Sequence, residues 1–306
     1  MMKILKLFFN IIFISIMIFI IYQMWANQDE ILSFAYNLFK FERKIQIQEA
    51  NIYKRYYSYI KYSIEEDYEP HNKEDLKNII YNFLNNGWNE FTFFCPEDYE
   101  KCMDDMKDIS NDSVLLSSIN NYVNPFNTFN NIYTKISSDG SINLSLEKTY
   151  TDQMKDEVNN KVDEIIDKLD LNGLTKKKKI KKIHDYLIDN IEYDKEENYK
   201  DNNSNNAYGA LINNIALCSG YSDAMAIFLD RLEIPNLKIS SETHVWNLVY
   251  YNGKWLHLDV TWDDPINMIA DSNRYVYFLI NNDMLKKLDK ETHNYEKNDY
   301  KETIGS

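Results

Sequence analysis

The chain has 306 residues, 44% hydrophobic and 14% aromatic, enough for one large domain or two ordinary ones with a real core. Its formal net charge of -14 argues against nucleic acid as the main partner, because phosphate binding needs a net basic surface. Only three cysteines occur, with no CxxC, no HExxH and no His/Cys cluster at zinc spacing, which argues against a catalytic zinc.

At the amino end, Lys3 and Lys6 precede an apolar run from Leu7 to Tyr22 that extends to Trp25 past Gln23. A spanning helix needs about 20 residues. Ala26 is the one small residue that follows, so the run reads as an uncleaved anchor rather than a signal peptide. The lysines then leave residues 1–26 as a cytoplasmic tip and transmembrane helix, with residues 27–306 outside. A lipid anchor lacks its cysteine near residues 15–27.

Residues 27–150 read as a charged, Tyr-rich helical stalk leading into a small α+β subdomain. "KEDLKNIIYNFLNNG" puts Leu76, Ile79, Ile80 and Phe83 on one helix face and stops at Gly87. "NEFTFFC" alternates like a strand. "DSVLLSSINNYV" predicts a second helix, and Asp139-Gly140 joins two strand-like runs in a hairpin. Cys95 and Cys102 stand close together. A disulfide between them fits an exported chain, as do two reduced structural cysteines, and either way Cys218 is left over. Nothing in this stretch carries chemistry, so it reads as a spacer or recognition surface.

Residues 151–306 form the second predicted domain. Met154, Val158, Val162, Ile165, Ile166 and Leu169 follow helical spacing, and "KIKKIHDYLIDNIEYD" is a second amphipathic helix in which His184 reads as structural. The lysine run at 176–182 reads as a solvated helix face. After a polar, Asn-rich loop at 194–206 comes "NIALCSGYSDAMAIFLDRLEIP". Tyr221, Ala224, Met225, Phe228, Leu229 and Leu232 make one helix face, bounded by Pro235. Cys218 sits at or just before the start of this helix, where unpaired amides stabilise a thiolate. On the helix alone, a small buried core cysteine accounts for it equally well.

The stretch "HVWNLVYYNGKWLHLDVTWDDP" breaks the tie. A two-residue loop at Asn252-Gly253 pairs Tyr251 with Lys254 and, carried along, Trp246 with Asp259 and His244 with Thr261. His244 and Asp259 are then diagonal neighbours on one face, ~7–8 Å apart. Val245, Val249, Leu256, Leu258 and Val260 on the other face are ordinary core. His257 competes for the role, but lies too close along its own strand to be oriented by Asp259. Cys218, His244 and Asp259 thus offer a nucleophile, a base and a group that orients the base. Asp263 and Asp264, beside Pro265, read as turn formers rather than calcium ligands. A terminal helix is predicted near 282–290.

"AYGALINNIALCSGYSDAM", "THVWNLVYYNGKWLHLDVTWDDP" and "KIHDYLIDNIEYD" closely resemble the bacterial transglutaminase-like superfamily, over about residues 180–282. Trp262-Asp263-Asp264-Pro265 resembles its bacterial branch in particular. Ser219 stands where many relatives carry Gln or Trp, and Asn214 and Ile215 where they often carry Gly. The resemblance implies an α+β fold with a papain/transglutaminase-like core, in which a Cys-bearing helix packs on an antiparallel sheet carrying His and then Asp. The matching positions are Cys218, His244 and Asp259. It further implies acyl transfer on peptide or protein amides with no cofactor required, the thioester being resolved by a Lys amine or by water; the anchor reading puts those substrates at the cell surface. The other expectation is a non-catalytic module that keeps the fold and holds a peptide in its groove.

Overall fold

The upstream elements form where hydrophobic spacing puts them. Helix α1 (Lys73–Asn85) opens with the Asn72 side chain accepting from the Asp75 amide, and Glu74 and Asp75 complement the dipole of its first turn. It buries Leu76, Ile79, Ile80 and Phe83, and ends at Gly87, whose φ of 62° is left-handed. Strand β1 (Glu90–Phe94) follows. A disulfide ties Cys95, just past β1, to Cys102, the first residue of α2 (Cys102–Asn111). Helix α3 (Ser113–Asn120) is capped by Asp112. Strands β2 (Phe129–Ile136) and β3 (Ser141–Lys148) form the hairpin, with Asp139 accepting from the Ser141 amide and hydroxyl. The three strands make an antiparallel sheet in the order β1-β3-β2.

Helices α4 (Asp152–Leu169) and α5 (Lys176–Asn190) follow. A two-stranded parallel ladder joins β4 (Glu192–Tyr193) to β5 (Ile215–Ala216), and the π-type turn Gly209–Asn213 lies between them in sequence. Then come α6 (Cys218–Arg231), β6 (Asn236–Ser240), β7 (Val245–Tyr251), β8 (Lys254–Leu258), β9 (Phe278–Ile280) and α7 (Asn282–Leu288). Strands β6-β7-β8-β9 form the second antiparallel sheet. The β7–β8 register runs from Tyr251↔Lys254 to Asn247↔Leu258, as the Asn252-Gly253 loop requires. All of this comes from a computed structural model that describes residues 69–196, 202–264 and 274–304, together with Met17. The expected anchor and stalk lie outside the described residues. Among the described residues no helix is long and apolar enough to cross a membrane.

The four-stranded sheet is the middle layer, and its pleat divides two cores. Leu237, Ile239, Trp246, Leu248 and Trp255 join the cluster built by α1, α2, α3, β1 and β3. Val249, Leu258 and Val260 join the cluster built by α4, α5 and α6. Each large apolar side chain so buried contributes roughly 1.5–3 kcal/mol. The upstream α+β segment is therefore the second layer on the sheet, and described elements on both sides of 150/151 share that core. Polar bonds reinforce that layer: the Tyr122 hydroxyl donates to Glu302 Oε2 at 2.8 Å, and Asn121 Nδ2 donates to Tyr300 Oη at 2.7 Å.

Candidate active site

Helix α6 begins at Cys218 itself. Its N-cap, Leu217, is extended and offers no side-chain cap, so the first-turn amides aim their positive end at a half-buried, free thiol. The Leu217 amide donates to the Ser204 carbonyl at 2.7 Å, which folds the 203–206 loop under the helix start. The glycine beside the cysteine follows from that packing. A Cβ on Gly220 would stand 2.5 Å from the Ser204 oxygen, and one on Gly209 would stand 2.2 Å from the Asn203 oxygen. No residue with a side chain fits at either place without moving the loop.

His244 precedes β7 by one residue, and Asp259 follows β8 by one. At these adjoining strand ends the His244 Nε2 meets Asp259 Oδ2 at 2.5 Å, in a buried pair. Asp259 occupies Nε2, which leaves Nδ1 for the Cys218 thiol, close enough to act on the ring. Burial works against a charge on His244, but Asp259 and then Cys218 outweigh it, and its pKa is raised to about 10. Burial likewise opposes a charge on Asp259, yet His244 foremost, and His293 after it, hold its carboxyl well below the ordinary range. The structure thus brings together the three residues singled out from sequence. The pairs extrapolated past Asn247↔Leu258 are not part of the ladder. After Leu258 the chain turns: the Asp259 amide donates to the Tyr277 carbonyl, and the Asp263 amide to the Asp259 carbonyl, both at 3.2 Å.

His257 points elsewhere. Its Nδ1 accepts from Trp246 Nε1 at 3.0 Å and its Nε2 donates to Asn282 Oδ1 at 2.7 Å, which fixes one neutral tautomer. Burial foremost lowers its pKa to about 4. Asp263 and Asp264 lie in the turn, as read, and each holds a second element. Asp263 Oδ2 meets Nε2 of the fully buried His184 on α5 at 3.1 Å, and Asp264 Oδ2 accepts from the Tyr221 hydroxyl of α6 at 2.5 Å. The turn at 259–264 therefore gathers β7, α5 and α6 around the thiol.

His293 went unnoticed in the sequence. Its Nε2 meets Asp259 Oδ2 at 2.9 Å and its Nδ1 meets Asp289 Oδ2 at 2.7 Å. It stands 34 residues past Asp259 with no strand register to link them, and the only local signal is an i,i+4 spacing from Asp289. His244, Asp259 and His293 offer ligand atoms within 4.8 Å of one another. Their 2.5 and 2.9 Å contacts are hydrogen-bond lengths. Two ligands on one tetrahedral ion with bonds near 2.0–2.1 Å stand about 3.3 Å apart. The cluster is built as a hydrogen-bonded set.

Residues 163–260 match the model of the transglutaminase-like superfamily, so the chain carries a transglutaminase-like core. No curated protein gives a significant match. Among solved structures, the crystal structure of a TGase aligns at a TM-score of 0.34 and 15% identity, over 76% of this chain and 66% of that one. A candidate cysteine protease from Cytophaga hutchinsonii aligns at a TM-score of 0.28 and 12% identity, over 43% of this chain and 61% of that one. The chain spans less than two thirds of either.

Proposed function

We propose that the chain is a thiol acyltransferase or hydrolase acting on peptide or protein amide bonds through Cys218, His244 and Asp259. One observation carries this reading: a buried imidazole held between an ionised carboxylate and a free thiol at a helix N-terminus. The Cys218 thiolate, its proton already held by His244 as imidazolium, attacks the carbonyl carbon, while Asp259 keeps the Nε2–H oriented and stabilises the positive ring. The C–N bond then breaks as His244 gives the proton to the departing amine. A Lys amine or water attacks the thioester, His244 takes up its proton, the C–S bond breaks, and the thiolate–imidazolium pair is restored. The Cys218 amide, heading α6, is placed to donate to the oxyanion, a contribution typically worth ~3 kcal/mol.

The working location is the cell surface, with residues 1–26 as a membrane anchor, residues 27–306 outside and proteins or peptides there as substrates. Lys3 and Lys6 ahead of the apolar run support that orientation. The Cys95–Cys102 disulfide supports an oxidising compartment.

The test is the pH dependence of iodoacetamide alkylation at Cys218 in the purified full chain, read by mass spectrometry. A rate that reaches its plateau below pH 7, and loses that plateau in His244→Ala, is expected. Acyl donors offered with amine and with water then separate cross-linking from hydrolysis. A thiol with ordinary reactivity in the wild type would overturn the reading and leave a peptide-holding module in its place.

A further inference from the structure

Asp259 accepts three hydrogen bonds. The Trp262 amide donates to Oδ1 at 3.1 Å, while Nε2 of His244 at 2.5 Å and Nε2 of His293 at 2.9 Å both meet Oδ2. A carboxylate held only by its catalytic partner can turn about its own axis. One held on both oxygens cannot. His293 is in turn fixed from behind. Its Nδ1 faces Asp289 Oδ2, and Asp289, the C-cap of α7, also accepts from the amides of Glu291, Thr292 and His293. The ring lies against Tyr277, stacked at 5.0 Å and 14°, with Trp246 and Trp262 edge-on at 4.7 and 4.9 Å. It is 4% exposed. Asp289 and His293 thus form a bracket supplied by the segment after β9, beyond the 163–260 stretch that matches the superfamily model.

We propose that His293 is a positioning residue for the same reaction: it fixes the Asp259 carboxylate so that Asp259 can aim His244 at Cys218. The inference rests on the catalytic reading above and adds a fourth member to it. A histidine serving the fold alone has no need to spend its Nε2 on the very oxygen His244 uses. Outer partners that orient metal ligands typically cost roughly 10- to 100-fold when removed, and an effect of that order is expected here.

The test again reads alkylation of Cys218, which is the one thiol not in the disulfide, as a function of pH in the full chain. His293→Phe keeps a flat ring for the aromatic packing but has no donor. His293→Gln keeps an N–H near the position of Nε2. The Phe variant is expected to lose about 10-fold or more in rate at pH 6, with the rise in rate displaced to higher pH, and the Gln variant to recover most of both. Melting temperature and near-UV circular dichroism report the fold alongside. A folded Phe variant with the wild-type profile, or a Gln variant as impaired as Phe, would overturn the proposal. Should the Phe variant fail to fold, Asp289→Asn loosens the ring from its far side. A smaller displacement in the same direction is then expected, and an unchanged profile overturns the proposal. A wild-type chain without fast alkylation at low pH would take down the catalytic reading itself. A wild type that reacts fast beside an unaffected His293→Phe takes down only the positioning role.

Discussion

Two buried histidines meet two carboxylates of the same turn, and they make a natural comparison. His244 meets Asp259 and His184 meets Asp263, four residues on. Both rings are enclosed by aromatics: Trp246 and Trp262 beside His244, Tyr275 and Phe278 beside His184. Burial opposes the charged form in each, and carboxylates raise both pKa values in spite of it. The difference lies at the second nitrogen. That of His184 faces another carboxylate, Asp185, at 3.3 Å, whereas that of His244 is left for a free thiol. A His–Asp pair closed by a second acid is a clamp between α5 and the turn. In the proposed reaction, the same pair opened onto a cysteine at a helix N-terminus moves a proton. The residue types are shared, so function here is a matter of what the spare nitrogen touches.

Breaking the two pairs should separate those roles. His244→Ala is expected to lower Cys218 alkylation at pH 6 about 100-fold or more, because an ordinary cysteine is mostly protonated there. Its effect on folding should be secondary. His184→Phe should do the reverse: a loss of about 2 kcal/mol in chemical denaturation, from the unmet Asp263, with an unchanged alkylation rate per folded molecule. Equal effects of the two on the thiol would erase the comparison. Gly220→Ala stands between them. Its Cβ would meet the Ser204 carbonyl at 2.5 Å, so it should cost ~1–3 kcal/mol and slow alkylation as well, since the loop it pushes sits under Cys218. The pH dependence of stability sharpens the point. The His244 pKa rises from 6.5 to about 10 on folding. Its stabilisation is therefore full below about pH 6.5 and is lost as pH climbs through about 10. Thermal melts of the wild type should fall over that window more steeply than those of His244→Ala. A parallel pair of curves would mean that the imidazolium contributes nothing to the fold.

Local patterns carried most of this into the sequence. The face of α1, the α6 face and the Asn252-Gly253 register each depend on neighbours in the chain, so periodicity and turn chemistry reveal them. Cys218, His244 and Asp259 were legible because a helix start and a hairpin bring them to known places. Helix α2 was not: Cys102, Met106 and Ile109 are its only buried residues, and Lys101 gives no capping bond. Nor was the shared core, since alternation in β7 tells that both faces are covered but not by what. His293 escaped for the same reason. Its link to Asp259 is made by the packing of α7 and the turn after it, and no periodicity extends across that distance.

The smallest expected effect concerns the surface end of the His184 clamp. Lys181 pairs with Asp185 at 2.8 Å, but its side chain is 45% exposed. Exposed pairs of this type are worth about 0–1 kcal/mol, since water screens them and the lysine loses rotamer freedom to make them. Asp185 is held at about 2 against its burial by three partners: His184 first, then Lys181 and Tyr275. With His184 and Tyr275 still in place, Asp185 should stay ionised when the lysine is gone. Lys181→Gln is therefore expected to shift stability by less than about 0.5 kcal/mol and to leave Cys218 alkylation untouched at every pH. A larger loss, confined to pH values where His184 is charged, would mean that the surface lysine helps set the state of the buried ring. The clamp would then be tunable from solvent, and its contrast with the His244 pair would be one of degree.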